Sequence, residues 1–160
     1  MTSTAATLEQ ARRAFAGLQP MRAEYAELPV AEAFRWDDCA AVVEDSDWYL
    51  VAFRSVRRAD ADERLLWELD ERAYRETALV PGLVLYHRGA LDRERRCLSL
   101  CLWERAGQAH RAATLPEHGT AAAHTGAMYE SYRIERYTLG VRTGRAGITP
   151  LRPDASPHSP

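Results

Sequence analysis

A chain of 160 residues with 46% apolar and 28% charged residues has the makeup of one globular domain with extensions, which excludes wholesale disorder. A formal net charge of -2 offers no pull toward polyanions, so nucleic acid is excluded as a partner class. All 21 basic residues are arginine and neither lysine nor asparagine occurs, which rules out Schiff-base lysine chemistry and any step that needs an asparagine amide.

Cys39, Cys97 and Cys101 are too few and too oddly spaced for a disulfide framework or a zinc site. They read as small core residues in a reducing compartment. Residues 1–10 lack a basic segment followed by an apolar run, and no stretch approaches the roughly 18 apolar residues of a membrane span. The expected location is the cytoplasm, away from membranes.

In chain order, Leu8, Ala11, Phe15 and Leu18 recur at helical spacing, so an amphipathic helix is expected over Thr7 to Leu18, ended by Gln19-Pro20. Pro20 to Phe34, around Pro29, reads as an ordered connector. Asp37 or Asp38 is placed to cap a short helix through Cys39 to Val43, and Glu44-Asp45-Ser46-Asp47 breaks it. Residues 1–46 thus form an N-terminal helical extension. Trp48 to Phe53 is rich in strand formers and too short for a helix, which makes it the first strand.

After the polar turn Arg57 to Asp62, where Asp60 or Asp62 can cap, a helix carries Leu65, Leu66, Leu69 and Ala73 with the rings of Trp67 and Tyr74. Val80-Pro81-Gly82 stops it. Leu83 to Arg88 is the second strand and Arg96 to Trp103 the third, joined by a charged hairpin loop. The third alternates, with Cys97, Ser99, Cys101 and Trp103 on one face and Leu98, Leu100 and Leu102 on the other, as in a sheet covered on both sides. Ala106 to Ala127 is helical with a break at Leu115-Pro116, giving two helices, and Tyr132 to Leu139 is the fourth strand. Residues 140–160, with four prolines, read as a flexible tail that pairs with nothing.

Strand, helix, strand, strand, helix, strand is the split βαβ order, so residues 47–139 are expected to form an α+β, ferredoxin-like βαββαβ domain with a four-stranded antiparallel sheet. Helices cover one face. The other would stay wet in a single chain, and a homodimer would hide it. The N-terminal helix is expected to lie across the barrel or the partner and to narrow the pocket mouth.

Leu98-Ser99-Leu100-Cys101-Leu102-Trp103-Glu104, the alanine-rich helix after it and Leu115-Pro116-Glu117-His118 resemble the antibiotic biosynthesis monooxygenase family of the dimeric α/β barrel superfamily. The resemblance covers about Trp48 to Leu139. It implies a pocket between sheet and second helix, used for cofactor-independent oxygenation of a small aromatic or polyketide-like substrate. It also admits haem breakdown or haem binding, polyketide cyclisation, or a non-catalytic stress-response dimer whose pocket is filled by side chains. Haem degraders of the family use an asparagine, which this chain lacks.

His118, at the family's proline-histidine position, is the candidate catalytic base, since imidazole titrates near neutrality. Trp103, Tyr129 and Tyr132 are candidates to bind substrate. So are Tyr86 and His87, of which a regular strand can turn only one inward, and the sequence leaves open which. If haem binds, His118 or His124 is the axial candidate. No cofactor is otherwise called for, and His110, His118 and His124, eight and six residues apart, do not stack as a metal set on one helical face. Arg54, Arg88, Arg133 and Arg136 are expected at exposed sheet ends. No phosphate-binding glycine loop, GxSxG or HExxH motif occurs.

Overall fold

Trp48 to Phe53 forms the middle of a twelve-residue strand, β1 (Ser46–Arg57), at the centre of an antiparallel sheet. The computed structural model describes residues 5–152. In chain order it contains α1 (Ala5–Phe15), α2 (Val30–Ala33), α3 (Trp36–Ala40), β1, α4 (Glu63–Thr77), β2 (Leu83–His87) and β3 (Arg96–Trp103). Then come α5 (Ala106–Ala113), α6 (Pro116–Ala123), α7 (Thr125–Met128), β4 (Tyr129–Arg142) and β5 (Arg145–Pro150). The sheet order is β2-β3-β1-β4-β5, so the expected α+β, ferredoxin-like order is present with one strand more than the four expected.

The fifth strand corrects the expected tail. Thr143 and Gly144 both adopt positive φ, 49° and 76°, the backbone of a two-residue hairpin turn, and Arg145 to Pro150 pairs back along β4. Asp45 accepts from the Thr143 amide at 2.7 Å, and Asp37 from the Ala146 amide at 2.9 Å. Asp37 therefore ties the extension to β5 instead of capping α3, whose N-cap is Arg35 and has no side-chain bond. Pro153, Pro157 and Pro160 lie outside the described residues.

Helix starts follow local chemistry. The Asp62 carboxylate accepts from the Leu65 amide at 2.9 Å and begins α4, while Asp60 is occupied by Arg58. Pro116 sits in the first turn of α6, so its missing N–H costs nothing there, and the alanine-rich stretch divides into three helices where two are expected.

One sheet face presents Leu50, Ala52, Leu98, Leu100, Leu102 and Leu139, each 0% exposed. What covers them is the chain's own N-terminal segment. Phe15, Leu18, Tyr25, Val30, Phe34, Trp36, Cys39 and Val43 pack on this face in one continuous core. The face expected to need an identical mate is therefore filled from within the chain, and the physical reason for pairing through it disappears. Arg54 adds a polar clasp to this cover: its guanidinium reaches Glu135 on β4 at 3.0 and 3.2 Å and donates to the carbonyl of Leu28 at 3.0 Å. Burial alone would raise the Glu135 carboxyl, but bonds from Arg54, Tyr137 and Arg133 hold it at about 2. Arg54 is thus part-buried with a carboxylate partner where exposure is expected, while Arg133 is exposed as expected and also pairs with Glu135.

Candidate functional site

The other face of the sheet carries Tyr49, Val51, Phe53 and Ser55 of β1, with Trp103, Cys101, Ser99 and Cys97 opposite them on β3. Thr138, Arg136, Ile134 and Tyr132 oppose them on β4. Helices α4 to α7 arch over this face and leave a cavity of about 480 Å³ between helices and sheet. That volume falls in the range of small-molecule sites. No described residue of the N-terminal extension lines it, so the expected narrowing of the mouth is not found among the described residues.

Polar bonds anchor α4 above the cavity. The Tyr86 hydroxyl donates to Asp70 at 2.9 Å, and Arg88 lies 2.7 Å from both Asp70 and Glu71. The Arg88 guanidinium also stacks 4.1 Å over the Trp67 ring, and Tyr74 stacks on Tyr86 at 5.1 Å. At its far end Glu76 accepts from the Glu117 amide at 3.2 Å, which fixes the start of α6 and with it the adjoining His118.

The register settles the choice on β2. An irregularity between Leu83 and Leu85 brings Tyr86 opposite Cys101 and His87 opposite Leu100, so Tyr86 lines the cavity and His87 does not. His87 instead lies in the extension-covered core, edge-on to Phe34 at 5.0 Å with Nε2 3.4 Å from the Tyr25 hydroxyl. Burial lowers its pKa. Its expected place in the site is thus corrected.

His118, Trp103, Tyr86, Tyr129, Tyr132 and His124 all line this cavity. Trp103 is its floor, 1% exposed, and its indole N–H is engaged by the Cys101 sulfur at 3.1 Å, leaving the ring face for packing. The Tyr129 and Tyr132 rings meet at 5.1 Å. His110 lies edge-on to Tyr49 at 6.0 Å, and the His124 Nδ1 is 2.9 Å from the Thr120 carbonyl. Among the described residues, no group of three or more His, Cys, Asp or Glu side chains is placed to hold a metal ion, although His110, His118 and His124 share the cavity.

His118 differs from the other two. Its Nδ1 is buried and has no hydrogen-bond partner among the described residues. Burial lowers the imidazole pKa, with the carboxylate of Glu76 acting the other way, so the ring is held neutral near pH 7. Burial pushes the Tyr129 phenol up, and burial together with Asp70 does the same to Tyr86, so both remain proton donors. Cys101 is pushed up to about 12 by burial and Cys97 is raised, so neither thiol is a nucleophile near neutrality. The arrangement offers one neutral base, several phenols and broad aromatic walls.

Trp67, Asp70 and Tyr74 are lining residues that the helical stripe hides among ordinary core positions. One signal exists: Asp70 falls in phase with Leu66, Ala73 and Thr77, and a carboxylate in an apolar stripe calls for a partner.

No curated protein matches the chain. Among solved structures, one from Shewanella oneidensis matches with a TM-score of 0.52 at 13% identity, covering 61% of this chain and 95% of that one. A conserved protein from Methanosarcina mazei Go1 matches at 0.50 and 13%, covering 56% and 90%. An assigned antibiotic biosynthesis monooxygenase from Nitrosomonas europaea matches at 0.50 and 11%, covering 58% and 88%. The fold is thus that of the antibiotic biosynthesis monooxygenase-like proteins, and each neighbour is nearly spanned while about two fifths of this chain goes unmatched. Residues 2–150 match a family model described as PB2B2.08-like.

Proposed function

Since the chain belongs to the PB2B2.08-like family, we propose a function from its site: cofactor-independent oxygenation of a small aromatic or polyketide-like substrate. The observation that carries this reading is His118, a half-buried neutral imidazole that lines an aromatic cavity and whose Nδ1 has no partner among the described residues. His118 removes a proton from an acidic C–H or phenolic O–H, and the electron-rich anion reacts with dioxygen. For an activated methylene, one oxygen atom of dioxygen becomes the new carbonyl oxygen, and the other leaves as water with both methylene hydrogens. The substrate carbon is oxidised and dioxygen is reduced, so the electrons balance with no further reductant. Tyr129 and Tyr132 donate to substrate oxygens, Trp103 and the ring of Tyr86, whose hydroxyl proton is held by Asp70, pack against the substrate, and the reaction takes place in the cytoplasm. The fold shared with the Nitrosomonas europaea protein supports the same choice. An open cavity of this size speaks against a pocket filled by side chains.

Oxygen uptake by the purified protein across a panel of hydroquinones and anthrones tests the reading, and no uptake on any of them overturns it. The pH profile tests the base. A base works in its neutral form, so kcat/KM should fall as pH drops through the lowered His118 pKa of the free protein, with a midpoint below the 6.5 of a free imidazole. An acid limb centred above 6.5 assigns the proton transfer to another group.

One observation favours a second reading, haem binding. The Nδ1 of His124 is tied to the Thr120 carbonyl, the arrangement that leaves Nε2 of a ligating histidine with its lone pair for iron. His124, or His118, would hold the iron, and the group would supply the redox chemistry. A Soret band on adding hemin, lost in His124→Ala and His118→Ala, is the expected sign. An unchanged hemin spectrum disposes of this reading.

A further inference from the structure

The cavity is lined by five charged side chains: Arg57, Arg88, Arg136, Glu63 and Asp70. Four of them cancel. Arg57 donates to Glu63 at 2.6 Å, and Arg88 lies 2.7 Å from Asp70. Arg136 makes no ion pair or side-chain hydrogen bond with any described residue, although it lines the same cavity. Its direction follows from register. On β4 it faces Val51 and shares the cavity side with Tyr132 and Ile134, four and two residues earlier. At the solvent-exposed β4 side of the cavity, Arg136 therefore presents the one charged lining group without a partner among the described residues, as a planar fork of donors beside Tyr132, Ile134 and Val51.

We infer that the ligand of this cavity is an aromatic monoanion whose carboxylate is bound by Arg136. This deepens the proposed function and rests on its reading of the cavity as an aromatic substrate site. The carboxylate fits the charge count, because four of the five charged lining groups pair off and the one positive charge left over, on the exposed Arg136 at the open side of the cavity, is matched by one negative charge and exceeded by two. It also fits the fork, which holds two carboxylate oxygens in parallel bonds that an amide or ketone cannot both accept.

The test is binding, with no turnover required. 2-Naphthoate and 2-naphthamide share one ring system and differ in the charged group. Calorimetric titration of the full chain should show naphthoate binding about tenfold more tightly than naphthamide, the scale of one charge-assisted pair at a partly open site. In Arg136→Gln the preference should vanish while naphthamide affinity holds. Arg136→Lys, which keeps the charge without the fork, should retain part of it. Equal affinity in the native protein overturns the inference, as does a preference that survives in Arg136→Gln, or failure of both compounds to bind. Oxygen uptake is read separately, so a charge preference without oxygenation sinks the reaction and leaves the ligand class standing.

Discussion

Replacing His118 with alanine should lower kcat for oxygenation by about a hundred- to ten-thousandfold, the usual contribution of a positioned base, and leave the fold intact. The two halves of this expectation come from one observation. His118 is half-buried and its Nδ1 bonds to no described residue, so removing the ring breaks no hydrogen bond of the fold. An imidazole kept for packing alone would behave in reverse, with a lower melting temperature and unaltered turnover. The measurement is kcat beside the melting temperature for His118→Ala and His118→Gln. Turnover that stays near the native value in both variants removes His118 from the mechanism.

The second large effect concerns residues 1–34. Deleting them strips Phe15, Leu18, Tyr25, Val30 and Phe34 from the face of Leu50, Leu98, Leu100 and Leu102. Each such side chain stabilises by about 1.5–3 kcal/mol when buried, so the five together rival the roughly 5–15 kcal/mol that holds a typical domain folded. Arg54 would also lose the Ala26 and Leu28 carbonyls that share its guanidinium with Glu135. The expected result is loss of a cooperative thermal transition, with the shortened chain binding a hydrophobic dye or self-associating through the bared face. A truncated protein that is monomeric and melts at the native temperature shows that this cover is dispensable.

Much of the sheet was legible because strands with both faces buried announce themselves. Cys97 to Trp103 alternates between two apolar sets, and the structure sends the sets to two different cores. The fifth strand was not legible: Arg145-Ala-Gly-Ile-Thr-Pro has one large apolar residue, and its turn, Thr143-Gly144, puts a β-branched residue at positive φ where asparagine or aspartate would be the usual sign. The helical stripe of Leu8, Ala11 and Phe15 was visible, but periodicity says only that a stripe needs a surface and not whose surface, so a partner chain was invoked for a face the same chain covers. In the site, His118 and the tyrosines were within reach of residue chemistry. The choice between Tyr86 and His87 depended on a register irregularity at Val84, which one strand read without its neighbour cannot reveal. Arg136 was indistinguishable from other strand arginines until their carboxylates were placed.

Because residues of one chain both floor the cavity and back the sheet beneath it, the proposed chemistry would need only one molecule. Specific activity should then be the same at nanomolar and micromolar enzyme, and mixing inactive with active copies should dilute the rate in simple proportion, with no copy able to poison another.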